Sequence, residues 1–263
     1  MVAAHHPAAH TAHHPAARHP AAHGRTFRPD GYQPSLFGGD EPGVDETFGG
    51  LRRTWLDDES WIDHLPRWLR GADVVFDELL TVLPWAQRDV VMYDRVVAEP
   101  RLTAWWDTNH PSPAPSPVLD RARRVLTDRY RRPFDSIGFN LYRDGRDSVA
   151  WHADRERFEL ENPVVVIVSV GSPRAFQVRP RRDPFAGHVP ATATAHTMPS
   201  WLLGHGDLLV MGGACQHHWE HRVPKTAHAD GPRLSIMFRH HLAGEPTGSG
   251  SHRRWGAARD WER

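Results

Sequence analysis

The stretch from Ser136 to His241 restricts this chain more than any other feature. It divides into short segments of strand character: Ser136–Tyr142, Ser148–His152, Pro163–Val170, Ala175–Val178, Trp201–Leu203, Asp207–Met211, His217–Arg222 and Arg233–His241. Gly, Pro and charged turns separate them. Successive side chains of a strand point to opposite faces, so many short strands must share a core between sheets. The expected class is α+β and mainly β, a β-sandwich or jelly roll.

The preceding segment supplies helices. Val74, Val75, Leu79, Leu80 and Leu83 recur at helical spacing, which predicts a helix over Gly71–Leu83 that Pro84 stops. A second helix is expected over Pro117–Arg131, with Pro117 in its first turn. Its apolar stripe is Val118, Ala122, Val125, Leu126 and Tyr130, and Arg121, Arg123, Arg124, Arg129 and Arg131 lie opposite. Both helices would pack on an outer face of the strands. Leu51–Leu56 and Asp89–Val97 read as further strands, and His110–Pro117, with four prolines in eight residues, as a loop.

The ends differ from this middle. Residues 1–24 are almost all Ala, His and Pro, which cannot bury a core. A disordered tail over 1–45, a domain over 46–243 and a loose tail over 244–263 are expected. The histidines of the first tail allow metal gathering or simple compositional drift.

Composition then removes whole classes. Lys plus Arg equals Asp plus Glu, so no global field draws the chain to nucleic acid or membrane, and a polyanion needs a local patch. The single cysteine, Cys215, excludes an internal disulfide and a CxxC metal site and fits a reducing cytosol. No apolar run is long enough to span a bilayer. A cytoplasmic protein with no evident membrane or protein partner is expected.

His152-Ala153-Asp154 carries the chemistry. Residues i and i+2 of an extended segment share a face, so an imidazole nitrogen and a carboxylate converge. A second histidine from a distant strand completes two nitrogens and one carboxylate, a triad that leaves three positions of an octahedral metal open, as in non-haem Fe(II) oxygenases. His217, His218 and His221 all lie downstream, and spacing does not choose among them. Arg233 and Arg239 alternate with Leu234, Ile236 and Phe238, so both sit on one strand face. Such a pair either faces solvent or grips an anion, which guanidinium does through two parallel hydrogen bonds. Two histidines and a carboxylate also suit a zinc hydrolase, although that chemistry gives the two arginines no task.

Seven phrases narrow the choice. They are Leu83-Pro-Trp-Ala-Gln-Arg88, Pro100-Arg-Leu-Thr-Ala-Trp105, Asn140-Leu-Tyr-Arg143 and Asp147-Ser-Val-Ala-Trp-His-Ala-Asp154, then His205-Gly-Asp-Leu-Leu-Val-Met-Gly-Gly213, Trp219-Glu-His-Arg-Val-Pro-Lys225 and Pro232-Arg-Leu-Ser-Ile-Met-Phe-Arg239. In this order they resemble the AlkB family of oxidative nucleic-acid dealkylases, especially the animal homologues that act on single-stranded DNA and RNA. The resemblance implies a double-stranded β-helix (jelly roll) with two supporting helices and a nucleotide-recognition lid near residues 84–117. It implies Fe(II) on His152, Asp154 and His221, with 2-oxoglutarate and O2 at the open positions. Asn140, Tyr142, Arg233 and Arg239 match residues that hold 2-oxoglutarate. Ser235 stands where the family usually has Asn, and its hydroxyl still offers one hydrogen bond.

The implied substrate is an alkylated base, single-stranded or flipped out of DNA or RNA, of the 1-methyladenine or 3-methylcytosine type. Its methyl group would leave as formaldehyde, with succinate and CO2 formed alongside. Glu156 matches an acidic residue near the base. Tyr93, Trp105 and Trp106 are candidate stacking partners, and at least one tryptophan is expected in the core. The lid is shorter and poorer in aromatics than in the relatives, which leaves open an oxygenase of the same fold acting on protein or a small molecule. Arg121–Arg124, Arg129–Arg132 and Arg179–Arg182 are candidate phosphate contacts or solvated faces.

Overall fold

A computed structural model describes residues 40–92, 95–154, 160, 162–181, 198–229 and 231–240. In chain order its elements are β1 (Gly43–Val44), β2 (Arg52–Trp55), β3 (Ser60–Leu65), β4 (Leu69–Arg70), α1 (Ala72–Val82), β5 (Asp89–Met92), β6 (Arg95–Ala98), β7 (Leu102–Asp107), α2 (Pro117–Tyr130), β8 (Ser136–Tyr142), β9 (Val149–His152), β10 (Val165–Gly171), β11 (Arg174–Pro180), β12 (Ser200–Leu203), β13 (Asp207–Gly213), α3 (Cys215–His218), β14 (Trp219–Val223) and β15 (Arg233–Arg239). One antiparallel sheet has the order β2-β3-β13-β10-β15-β8-β7, and a smaller one has the order β12-β11-β14-β9.

The residues of β10 explain the layering. This central strand is apolar on both faces, so it needs a core on each side. Val166, Val168 and Val170 join Leu208 and Val210 of β13 and Leu234, Ile236 and Phe238 of β15. The apolar stripes of α1 (Val75, Phe76, Leu79, Leu80) and α2 (Val118, Leu119, Ala122, Leu126) cover that face. On the other face Val165 and Ile167 meet Phe176, Val178, Leu203, Trp219 and Val223 of the smaller sheet. Two facing sheets with helices outside the larger one form the expected jelly roll.

The same alternation pins β15. Leu234, Ile236 and Phe238 are fully buried, each contributing about 2 kcal/mol of apolar burial. A one-residue slip would push Arg233 and Arg239 into the apolar layer, so the register that buries these three residues also turns both arginines toward the smaller sheet.

Several expectations change. Asp89–Val97 is not one strand: β5 and β6 pair as a hairpin, with Asp89 opposite Ala98 and Met92 opposite Arg95. No Asn-Gly or Asp-Gly pair marks the reversal, and the β-branched run on both sides masks it. Leu102–Asp107, placed in the expected lid, is instead the edge strand β7 of the larger sheet. β3 escaped notice because its interior is polar. Its Asp63, fully buried, accepts from Arg53 Nε and Nη2 at 2.7 and 2.8 Å and from the Tyr130 hydroxyl at 3.1 Å. Beside it the Trp61 indole lies against Gly212, where an added Cβ would come within 2.1 Å of the ring. Most of the expected 1–45 tail lies outside the described residues, but its end is structured, with Gly43–Val44 paired to Leu69–Arg70 and Val44 buried. The expected tail over 244–263 also lies outside them.

Candidate metal and cosubstrate site

β14 and β9 pair in the smaller sheet with His221 directly opposite His152. Their ring centroids lie 4.2 Å apart. Asp154 follows β9 by two residues and is 2% exposed. Its Oδ1 is 3.7 Å from His152 Nε2, too far for a hydrogen bond but suited to two ligands of one ion. One ligand atom from each of the three residues lies within 4.8 Å of the others, the only such group among the described residues.

The tautomer suits a metal. His152 Nδ1 is 2.9 Å from the Ala150 carbonyl, which only accepts, so Nδ1 carries the proton and Nε2 presents its lone pair. Phe176 stacks on His221 at 5.4 Å and fixes that ring. Burial pushes the His221 imidazole down to about 3, and burial lowers His152 against the opposing pull of Asp154. Both are therefore neutral near pH 7, the form that donates to a cation. Two neutral imidazoles and a carboxylate on an open cavity fit Fe(II) with free coordination positions.

The ambiguity among downstream histidines is resolved by a helical turn. The chain forms α3 before β14, so His217 and His221 do not share a strand face as expected. His217 Nε2 meets the Leu160 carbonyl at 2.9 Å, and His218 Nδ1 lies 4.0 Å from Asp57 and 3.9 Å from Glu59. The same turn brings in Gln216, which the sequence reading missed. Fully buried, its Oε1 accepts the Asp154 backbone N–H at 3.0 Å. Gln216→Leu is expected to weaken Co(II) or Mn(II) binding by about 10- to 100-fold, as loss of ligand-orienting bonds does. Unchanged affinity in a metal titration would remove Gln216 from this role.

The opposite wall is cationic. Arg233, Ser235, Met237 and Arg239 of β15 face the cavity with Asn140 and Tyr142 of the neighbouring β8. Arg233 is 1% exposed, which excludes the solvated-face alternative. Its Nε donates to Ser169 Oγ at 2.9 Å, its guanidinium stands 5.2 Å from the Tyr142 ring, and its buried Nη1 has no hydrogen-bond acceptor among the described residues. Burial lowers its basicity, and the nearby Arg174 adds repulsion. Arg174 itself is satisfied by the carbonyls of Asp144, Asp147 and Pro224. A buried guanidinium without a carboxylate is costly, and a bound anion relieves that cost. Arg239 reaches the metal side, with Nη2 3.2 Å from Asp154 Oδ2. Asn140 Nδ2 touches Met237 Sδ at 3.5 Å, and buried Ser235 lies opposite Asn140 in the register.

The wall toward the lid decides between the tryptophans. Adjacent residues of β7 face opposite ways: Trp105 lines the cavity above Gly138, whereas Trp106 is buried in the helix-covered core and donates Nε1–H to the Ser112 carbonyl at 3.0 Å. Trp106 is therefore removed from the substrate-facing set. Tyr93 and Glu156 lie outside the described residues. Glu99, Arg101 and Arg88 also line the cavity. Apolar periodicity gives no sign of them, since it assigns charged residues to the surface. The arginines of α2 lie on the far side of the larger sheet from this cavity and are engaged locally: Arg123 and Arg124 with Asp120, and Arg121 with Glu46. Arg179 is tied to Glu220 at 2.6 Å.

A cavity of about 270 Å³ thus joins the triad, the buried arginines and the Trp105 wall. Comparison with known proteins agrees with this geometry. Residues 86–239 match the model of the 2OG-Fe(II) oxygenase superfamily. The chain is 36% identical over 180 residues to alpha-ketoglutarate-dependent dioxygenase alkB homolog 3 of Bos taurus, covering 65% of this chain and 62% of the relative. Its identity to the Homo sapiens homolog 3 is 34% with the same coverage. To DNA oxidative demethylase ALKBH2 of Arabidopsis thaliana it is 30% over 195 residues, 62% of this chain and 60% of the relative. The chain therefore spans about three fifths of the length of these relatives. No helix among the described residues is long and apolar enough to cross a membrane. By its motifs, its triad and these likenesses, the chain belongs to the 2OG-Fe(II) oxygenase superfamily, and within it the relatives named above are AlkB homologues.

Proposed function

We propose that this chain is an Fe(II)- and 2-oxoglutarate-dependent dioxygenase that demethylates N-alkylated bases of the 1-methyladenine and 3-methylcytosine type in DNA or RNA, releasing formaldehyde, succinate and CO2. The observation that carries this reading is the shared cavity, which faces a neutral His/Asp/His triad toward a buried guanidinium lacking an anion. Bound iron, with O2 as the oxidant and 2-oxoglutarate giving up two electrons as it becomes succinate and CO2, would supply the chemistry that oxidises the methyl C–H bond. His152, Asp154 and His221 would hold the metal, and Arg239 would steady Asp154. Arg233, with Tyr142, would neutralise the far carboxylate of 2-oxoglutarate, while Asn140 and Ser235 would offer hydrogen bonds between the two ends. Trp105 would supply an aromatic wall for a base taken out of its stack.

The names of the relatives support a nucleic-acid substrate. Arg88 and Arg222 at this cavity would be the cations that meet phosphates, in contrast to those of α2. A cytoplasmic location belongs to the same reading and is supported by the single, buried cysteine. The test is formaldehyde and succinate release from methylated DNA and RNA oligonucleotides. Binding of a single-stranded substrate is expected to fall with salt, with a log–log slope of about −1.4 for two phosphates neutralised. Succinate formed without formaldehyde from any oligonucleotide would move the substrate to protein or a small molecule.

A further inference from the structure

Glu99 is a buried acid that neither the metal nor 2-oxoglutarate uses. It is 8% exposed and stands three residues before β7, with its backbone N–H donating to the Arg88 carbonyl at 2.7 Å. Oε1 accepts from Arg101 Nη2 at 3.1 Å. Oε2 is buried and has no donor among the described residues, although it belongs to the wall that Trp105, His152 and Asp154 also line. Arg101 Nε is buried and unmatched in the same way. A carboxylate oxygen without a donor is costly to bury, and two such atoms on one cavity wall are the mark of a site whose partner arrives with the substrate.

We propose that Glu99 is a specificity-determining residue: its vacant oxygen accepts a hydrogen bond from the exocyclic amino group of the bound base and so selects amino-bearing N-methyl bases over oxo-bearing ones. The proposal rests on the demethylase reading above and adds a residue to it. At the purine C6 or pyrimidine C4 position beside the methyl group, adenine or cytosine carries an amino donor, whereas guanine or thymine carries a carbonyl; the amino group of guanine lies on the other flank, at C2, and does not reach the same oxygen. A carbonyl facing Oε2 leaves two acceptors opposed with no proton between them. The donor edge completes Glu99, and Arg101 holds the carboxylate in place through its other oxygen. This acid comes from the segment before β7, not from the segment after Asp154 in which the family resemblance puts Glu156.

The test compares formaldehyde release from single-stranded oligonucleotides carrying 1-methyladenine, 3-methylcytosine, 1-methylguanine or 3-methylthymine. In Glu99→Gln the Arg101 guanidinium takes the amide oxygen, so the amide N–H2 replaces Oε2 and presents a donor. The kcat/KM ratio of amino-bearing to oxo-bearing bases is expected to fall by about 10- to 100-fold, the usual cost of one reversed base contact. Glu99→Ala, which removes the acceptor without adding a donor, is expected to fall between wild type and Glu99→Gln. Titration of 2-oxoglutarate into each variant, with unchanged affinity, shows that the fold and the neighbouring site persist. Equal losses on all four bases, or an unchanged ratio, would overturn the proposal while leaving the demethylase reading intact. A wild-type protein that releases formaldehyde from none of the four overturns both.

Discussion

Asp154→Ala is expected to abolish turnover while the sheets remain folded. The three ligand atoms lie within 4.8 Å of one another, and the carboxylate is the only anionic member of the set. Its loss leaves two neutral imidazoles, which hold a divalent hard cation poorly. It also frees Arg239, whose Nη2 now lies 3.2 Å from Oδ2, to place uncompensated positive charge beside the vacant position. Both effects oppose metal entry. A bound metal supplies several kcal/mol of transition-state stabilisation, and each 1.36 kcal/mol is tenfold, so a fall of about 10³-fold or more follows. The measurements are succinate and formaldehyde formation, together with Co(II) titration. His152 and His221 are held opposite each other by the backbone pairing of β9 with β14, which the substitution leaves in place, so circular dichroism is expected to match wild type. Turnover within tenfold of wild type would show that Asp154 is not a ligand.

The strand face of Arg233 and Arg239 was legible in the sequence, because a period of two is visible whenever one face is apolar. What alternation does not say is where the polar face points. Leu234, Ile236 and Phe238 would have been equally satisfied beneath a solvated sheet, and only the second layer, built from β11 and β14, encloses the arginines. His152 and Asp154 were legible for a local reason, their spacing of two. His221 was not, since Cys215–His218 forms a helical turn too short to show an apolar period, and Gly212-Gly213 before it mark a break without saying that a helix follows. Phrases shared with a family fixed that residue where geometry inferred from spacing did not. β3 and Glu99 were missed for a common reason. Both place charge in the interior, Asp63 against Arg53 and Tyr130 and Glu99 against Arg101, and a reading built on apolar periodicity assigns such residues to the surface. The two-tryptophan step in β7 obeys the same limit. Once the strand is known, alternation puts Trp105 and Trp106 on opposite faces, and only the pairing with β8 shows that Trp105 takes the cavity and Trp106 the core.

Arg233→Met is expected to have opposite effects on binding and on stability. Arg233 is the cation on which the proposed cosubstrate grip depends, and its guanidinium is buried with one nitrogen unmatched. Truncating one side of a buried charge pair costs about 2–5 kcal/mol of affinity, or roughly 30- to 5,000-fold in Kd for 2-oxoglutarate. The ligand-free protein should not suffer in proportion. Its guanidinium carries a desolvated charge repelled by Arg174, and the hydrogen bonds lost, to Ser169 Oγ and to the Tyr142 side chain, contribute about 1 kcal/mol each. Methionine fills much of the same volume, and replacing an unpaired buried charge by an apolar side chain is often neutral or stabilising. Thermal unfolding with and without 2-oxoglutarate separates these terms. Wild type at a hundredfold excess over Kd gains about 2.7 kcal/mol from linkage, and the variant is expected to gain less than about 1 kcal/mol at the same concentration. Its melting temperature without ligand is expected to equal or exceed that of wild type. A variant that melts well below wild type yet still responds to 2-oxoglutarate would make Arg233 a structural residue, and the anion would have to be held by Arg239 instead.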